Sequence, residues 1–554
     1  MSESEKYPEL STLSDEIMRC GRCGFCQSVC PVYRVTGHES GVARGRTMCA
    51  RELVSGTLDL SRENEAFFTE CLLCRACVES CFSSVKTDEI ALAGRRSLRR
   101  QRGISPTYKY IFETLLADHR RLGRLIRLVA SARRLADPEI TAALRIFGWL
   151  GLVTAIHRPA PPSFISTLKT KFKVGKAYGT AGVAPAGLLS ALKTLRRADE
   201  LLKDAPREFL RERLIPPSTK GQHAFPLFPK EHSAITPFSK RQPVIPPFAK
   251  GGRGDLPSRY SDQPPQEKPA APTKQAALFI GCGTNFMFPH VGEATIALLE
   301  TLGYEILIVD HGCCGLPAFT HGALKAAMRL AAQNLRAFSG LRECVLVTDC
   351  SSCASFLKDY PRLFALGNAT DTALLSEAEE FSTRVRDLTE IIADAQNPSS
   401  ETARQLNVEA TGPLTPPAQD ALLLPFASSK EAKERFLRVT FHDPCHLSRY
   451  QRLSSLPRMI LRSLPGIEFI EMNEADSCCG GAGSFAVEHP DLSRRILDRK
   501  IENIVSSNAD IVATTCPSCL MQIRSGLAAK GTTTRAAHLA ELVHTRLSYP
   551  HSKS

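Results

Sequence analysis

The chain has 554 residues, 43% of them hydrophobic, with a net charge of +13 and twenty cysteines. A single core seldom grows past about 250–300 residues, so several domains are expected. No stretch is suited to cross a bilayer: the best, Ile140–Ile156, falls short of the roughly 20 residues required and contains Arg145. Much of the positive excess lies in residues 95–134 and 193–213, which lack the context of a nucleic-acid module, so no nucleic-acid partner is expected.

The opening residues, MSESEKYPEL, show no apolar signal segment and no cleavage site. A cytoplasmic location is therefore expected, and the cysteines read as metal ligands rather than disulfides. The first run is Cys20-x-x-Cys23-x-x-Cys26-x-x-x-Cys30-Pro31, and the second is Cys71-x-x-Cys74-x-x-Cys77-x-x-x-Cys81. Three thiolates at this spacing wrap three corners of a cubane, and the fourth, set off by a longer gap, reaches the neighbouring cluster. The reading is two [4Fe–4S] clusters, one on Cys20, Cys23, Cys26 and Cys81, the other on Cys71, Cys74, Cys77 and Cys30. Zinc would need only two Cys-x-x-Cys knuckles, or Cys with His, and leaves the regular third cysteine unexplained. Phe82 stands where a proline would follow Cys81, which removes no ligand. The 40 residues between the runs are too many for a small β-rich ferredoxin, and Gly41–Val54 has a helical pattern. An α-helical two-cluster domain over residues 1–104 follows, with Cys49 as a small buried apolar residue rather than a ligand.

Residues 105–215 form a basic helical region, with Leu122, Leu125, Ile126 and Val129 on one face and Arg120, Arg124 and Arg127 around it. A layer packed against the cluster domain is favoured over contact with a membrane surface. Residues 216–273 carry thirteen of the 36 prolines and little apolar periodicity, so a disordered linker is expected.

Beyond the linker lies an internal repeat. Its first copy (274–394) carries Cys282, Cys313-Cys314-Gly315 and Cys350-x-x-Cys353, with gaps of 30 and 35 residues. Its second copy (434–554), after an insert at 395–433, carries Cys445, Cys478-Cys479-Gly480 and Cys516-x-x-Cys519, with gaps of 32 and 36. Cys344 lies outside the pattern. Strand-like runs at Ala276–Ile280, Tyr304–Val309 and Cys344–Thr348 alternate with helical runs at Val291–Leu302 and Leu324–Phe338. The second copy has strands at Leu437–Phe441, Ile467–Glu471 and Ile511–Thr514, with helices near Pro457–Leu464 and Leu492–Val505. Each copy reads as a β-α-β-α-β unit with a parallel sheet. Every cysteine group follows a strand's C-terminal end, where parallel α/β sheets bind ligands, so five thiols converge in each copy. Five exceed the four of a tetrahedral zinc site, which favours a multinuclear cluster over zinc. His442 and His446 flank Cys445, and the favoured reading is that they and Asp443 cap the following turn rather than serve the metal. Gly315, Gly480 and Gly481 are expected to let backbone N–H groups approach sulfur.

The phrases CGRCGFCQSVCPVYR, ARGRTM, ECLLCRACVESC, HDPCH, EADSCCGGAGSF and CPSCLMQIRSGL carry a resemblance over about residues 15–110 and 274–545. The chain resembles the iron–sulfur subunit of bacterial glycolate oxidase, its counterparts in lactate and anaerobic glycerol-3-phosphate dehydrogenases, and the catalytic subunits of heterodisulfide reductases. The resemblance implies two cysteine-rich (CCG) domains, each holding an iron–sulfur cluster, of non-cubane [4Fe–4S] type in the reductases. Ligands would be Cys282, Cys313, Cys314, Cys350 and Cys353, then Cys445, Cys478, Cys479, Cys516 and Cys519. No Gly-x-Gly-x-x-Gly fingerprint and no Walker loop is present, and nothing else signals a flavin or nicotinamide site. The hydride step would fall to a separate flavin-binding dehydrogenase subunit for a 2-hydroxyacid. This chain would pass single electrons to a quinone or another carrier, with a peripheral place on the inner face of the cell membrane. The alternative is a heterodisulfide reductase-like subunit. No catalytic residue is assigned.

Overall fold

The computed structural model describes residues 6–135, 209–214, 225–226, 274–367, 372–396 and 436–548. Most of the basic helical region, nearly all of the proline-rich linker and all but the start of the insert at 395–433 lie outside the described residues.

The N-terminal domain is helical. A 3-10 turn (Glu39–Gly41) leads into α1 (Ala43–Val54), where a helix was expected. Gly45 has to be bare, because a Cβ there would lie 2.0 Å from the Glu39 carbonyl oxygen. Helix α2 (Thr87–Arg102) begins with Asp88 and Glu89 and ends with Arg99, Arg100 and Arg102, the order its macrodipole favours. The Phe68 ring fills the notch at Gly94, where a Cβ would come within 2.3 Å of it. Cys49 joins Leu10, Ile17, Leu53 and Phe68 in this core, and burial pushes its thiol up to about 12.

After α2 come a short helix (Pro106–Tyr110), a π-turn (Ile111–Leu115) and α3 (His119–Leu135). Phe112 and Leu116, with Tyr108 and Leu122 at the edge, join one apolar core with Cys71, Leu73, Ala91 and Leu92 of the cluster domain and with the first cysteine-rich module. The helical layer thus packs at the seam between the two, rather than on the cluster domain alone. The short α4 (Leu210–Leu214) also lies on that module.

Each module is built on a parallel sheet. The first has β2 (Lys274–Leu278) at its centre, flanked by β3 (Tyr304–Ile308) and β4 (Val345–Thr348), with β5 (Val385–Asp387) beyond β4. A two-residue strand from within the expected linker, β1 (Phe225–Pro226), pairs antiparallel with β3. The second module repeats the plan with β6 (Leu437–Phe441), β7 (Ile467–Phe469), β8 (Ile511–Thr514) and β9 (Arg535–His538) in the order β7-β6-β8-β9. Registers correspond too: Leu278 faces Ile308 and Val347 across the first sheet, and Val439 faces Phe469 and Ile511 across the second.

Connecting helices lie where the periodicity puts them: α5 (Pro289–Thr301) and α6 (Leu324–Phe338), then α8 (Ser455–Ser463) and α9 (Pro490–Ser506). Two further helices, α7 (Ser351–Lys358) and α10 (Pro517–Lys530), start directly after Cys350 and Cys516. The fourth strands β5 and β9 are additions to the expected unit. Three residues, or an Arg-Ala-Ala-His run, carry little strand propensity of their own.

Candidate metal centres

In the cluster domain the spacers between cysteines have left-handed backbone. Arg22, Gly24, Leu73 and Arg75 have φ of +56°, +89°, +54° and +61°, one in each Cys-x-x-Cys step. Such φ values are rare for non-glycine residues and concentrate at functional loops. Here they turn successive thiols to one side. Cys30 precedes the helix Pro31–Thr36 and is turned towards the second run. Cys30, Cys71, Cys74 and Cys77 line one cavity. The fourth cysteine of the first run therefore lies with the first three of the second. For the other set, Phe25 and Phe82 meet edge-to-face at 4.8 Å and draw together Cys26 and Cys81, their chain neighbours, while Cys20 and Cys81 border one apolar core.

The residues around the cavity fit a cluster. Arg46 is 1% exposed and lines it, within hydrogen-bonding reach of Cys30, and among the described residues its Nε and Nη2 have no hydrogen-bond partner. A buried guanidinium without compensation is costly. Thiolates of a negatively charged cluster would supply the charge. With the thiols protonated, burial pushes Cys74 up to about 12, so metal binding has to displace the protons.

In the modules, the five thiols of each copy converge at the C-terminal edge of its sheet. Cys313 is within hydrogen-bonding reach of Cys282 and Cys314, and Cys314 of Cys353. In the second copy the sequence of neighbours is Cys445, Cys478, Cys479, Cys519 and Cys516. Cys350 also reaches Cys516, so the ten sulfurs form one continuous row across both modules. Gly315 and Gly480, at φ +98° and +83°, direct their N–H groups to Cys313 and Cys478 at 3.5 and 3.4 Å. At the seam, Ser351 donates from its backbone to Thr515 O (3.0 Å) and from its hydroxyl to Thr515 Oγ1 (2.7 Å), and His538 Nε2 lies 3.0 Å from Asp349 O. Burial pushes the Asp349 carboxyl up to about 7, and the Thr284 hydroxyl donates to it at 2.8 Å.

The histidines differ from the expected caps. No side chain caps the turn His446–Tyr450, and Asp443 is instead gripped by Arg458 at 3.0 and 2.7 Å. His446 Nδ1 lies 3.5 Å from Cys445 Sγ. His442 is 1% exposed and neither ring nitrogen has a hydrogen-bond partner among the described residues. One of its nitrogens and the Cys479 and Cys519 sulfurs lie within 4.8 Å of one another. Lys500, also buried, points its ammonium at the Glu474 and Ala475 carbonyls beside Cys478 and Cys479, and burial lowers it to about 8. Imidazoles and a cation around buried thiols suit an anionic metal–sulfur group.

The cluster domain and the modules are one packed unit. Cys30, Cys74 and Cys478 share an apolar cluster, with Cys26 and Cys445 at its border. Arg449 donates to Cys74 O and holds Glu79 and Asp476, while Tyr450 Oη donates to Leu73 O at 2.8 Å. Arg95 ties residues 68–71 to the first module, donating to Phe68 O (2.9 Å), Thr69 O (3.0 Å), Cys71 O and Thr320 O (2.5 Å). No motif in the sequence singles out Arg95 or Lys500, and the phrase ARGRTM contains Arg46 without assigning it a role, because their roles depend on contacts distant in sequence. Among the described residues no helix is long and apolar enough to cross a membrane.

Comparison with known proteins agrees with this layout. Residues 16–85 match the family described as a 4Fe-4S dicluster domain, and residues 276–358 and 439–524 each match the cysteine-rich domain family. A probable glycolate oxidase iron-sulfur subunit of Bacillus subtilis is 25% identical over 537 residues, 95% of this chain and 93% of that protein. Lactate utilization protein A of a Geobacillus species (strain WCH70) is 30% identical over 273 residues, 49% of this chain and 100% of that protein. A fumarate reductase (CoM/CoB) subunit of Methanothermobacter marburgensis is 30% identical over 262 residues, 47% of this chain and 44% of that protein. With a helical dicluster domain joined to two parallel-sheet cysteine-rich modules, the chain belongs to the glycolate oxidase iron–sulfur subunit and heterodisulfide reductase-like family, as an iron–sulfur oxidoreductase subunit with an electron-transfer role.

Proposed function

We propose that the chain is the electron-transfer subunit of a flavoprotein-linked 2-hydroxyacid dehydrogenase of the glycolate or lactate type, delivering electrons to a quinone or another carrier. The observation that carries the reading is the uninterrupted succession of thiols, from the exposed Cys23 through the set at Cys30 and Cys74 to the ten-sulfur row. When bound, iron–sulfur clusters accept and release electrons one at a time. The chain's own residues would hold them, and they bury most of the thiols beyond the outer set, with Cys77, Cys282, Cys445 and Cys519 half-buried. Cys20, Cys23, Cys26 and Cys81 would hold the outer cluster, and Cys30, Cys71, Cys74 and Cys77 the inner one. Each module would hold one more on its five cysteines, about sixteen irons in all.

His442 is the residue of the second module best placed to add a nitrogen ligand. The first module has Phe279 at the matching position, three residues before its leading cysteine. Pulsed EPR of the anaerobically reduced protein should show strong ¹⁴N coupling at one module centre, lost in His442→Ala. Its absence from the wild type would remove histidine from the ligand set.

The outer end is also where a partner would bind. Phe82, Met18 and Phe25 are 81%, 58% and 53% exposed beside Cys81, Cys20 and Cys26. Phe82→Asp should raise KM for the reducing partner several-fold, since a truncated interface aromatic commonly costs more than about 1 kcal/mol, while iron content stays unchanged.

The deciding test is anaerobic mixing with a flavin-containing 2-hydroxyacid dehydrogenase and its substrate. Bleaching of the iron–sulfur absorbance at rates matching turnover supports the proposal. The two complete five-cysteine sets favour one rival, disulfide reduction. Turnover of a disulfide with an artificial donor and no flavoprotein would establish that instead.

A further inference from the structure

The leading cysteine of each module has one imidazole nitrogen 3.5 Å from its sulfur, but the two imidazoles come from different places. Cys445 receives Nδ1 of His446, the next residue in the chain. Cys282 is followed by Gly283, where a Cβ would lie 2.6 Å from Cβ of Pro517 in the other module, so a side chain there is blocked. The imidazole at Cys282 is His119, from the start of α3, outside the repeat, with Nε2 3.5 Å from Sγ.

His119 is fixed by a second segment outside the repeat. Arg211 of α4 is 4% exposed and its Nη1 contacts His119 Nδ1. Arg211 is anchored by its own hydrogen bonds to His311 O (2.6 Å) and Val309 O (3.1 Å), and its backbone N–H donates to Asn285 Oδ1 at 2.9 Å. Phe209 closes the same corner, edge-on to Phe286 at 4.9 Å. A guanidinium has donors only. His119 Nδ1 must therefore accept, which makes the ring neutral, places its single proton on Nε2 and aims an N–H at the sulfur.

We propose that α3 and α4, both outside the repeat, supply this module with the N–H donor that the position after its leading cysteine cannot house, and that the His119–Arg211 pair thereby raises the reduction potential of the first-module centre. A donor to sulfur stabilises the more negative, reduced state. With its proton on Nε2, His119 is a positioning residue and not a ligand. The inference rests on the reading that the first module holds an iron–sulfur centre.

The test is an EPR-monitored redox titration of the full-length, cluster-loaded protein, with iron analysis, for wild type, His119→Leu and His119→Gln. In His119→Leu, the reduced-to-oxidised ratio of the first-module centre at a fixed poise should fall about tenfold, the scale of a hydrogen bond to a charged group, or ~59 mV for one electron. His119→Gln, which keeps an N–H, should recover most of the shift, and an exchangeable-proton coupling present in wild type should vanish in the leucine variant. An unchanged potential with full iron, or equal shifts in both variants, overturns the proposal. Selective loss of iron from both variants also overturns it, by making His119 a ligand. A wild-type protein without iron in the first module fails the underlying reading instead.

Discussion

Cys74→Ala should lower the iron content from about sixteen atoms to about twelve and uncouple the two halves of the protein. Cys74 lies between Cys30 and Cys478 in one apolar cluster, and Arg449 reaches its carbonyl from the second module. Its loss opens the succession of thiols where it crosses from the cluster domain to the second module. The outer set should still be reduced by the flavoprotein partner at close to the wild-type rate, while reduction of the module centres falls to background. Stopped-flow spectroscopy combined with EPR of the separate centres reads both outcomes. Retained reduction of the modules would mean that electrons enter elsewhere, and would sink the proposed order.

Arg95→Leu should be the most destabilising single substitution away from the ligands. Its guanidinium donates to four carbonyls, those of Phe68, Thr69 and Cys71 at the end of the helix Ala66–Thr69 and just after it, and that of Thr320 in the first module. Leucine fills part of the volume but takes the guanidinium donor from the Thr69, Cys71 and Thr320 carbonyls, at ~1–3 kcal/mol each, while Phe68 O keeps the Cys71 N–H at 3.4 Å. Partial relaxation and water entry reduce the sum to on the order of 4 kcal/mol. Thermal loss of the iron–sulfur absorbance should move to a clearly lower temperature. Limited proteolysis should cut first between the cluster domain and the first module. Arg95→Lys should recover little, since one ammonium cannot span carbonyls that a planar fork reaches from several sides.

Much of this was legible in the sequence. Spacing alone places Cys30 with Cys71, Cys74 and Cys77, since a three-residue gap followed by proline turns the fourth thiol away from the first three. The repeat was legible for a related reason: β2, β4, β6 and β8 are short apolar runs ended by turn residues and cysteine, and α6 follows its periodicity from Leu324 to Phe338. These signals are local, set by covalent spacing and by which face of an element is apolar. Ligand count favoured a cluster over zinc in both parts of the chain, and the family phrases added the expectation of a non-cubane type in the modules.

What only the tertiary structure decided depends on contacts between residues from 15 to 163 positions apart. Asp443 looked like a cap, but Arg458 brings two donors to it, and the turn is left uncapped. Strands β5 and β9 take their conformation from pairing with β4 and β8, because their own residues have no strand pattern. Arg46 and Lys500, given no role by the sequence, are buried beside thiols. His119 and Arg211, separated in sequence by the bulk of the basic region, meet over Cys282. The sequence by itself determined which thiols fall into each group, because residue type and spacing are covalent properties. The order of those groups, and the charges and donors around each, were decided by packing, since electrostatic surroundings depend on distance through space and not along the chain.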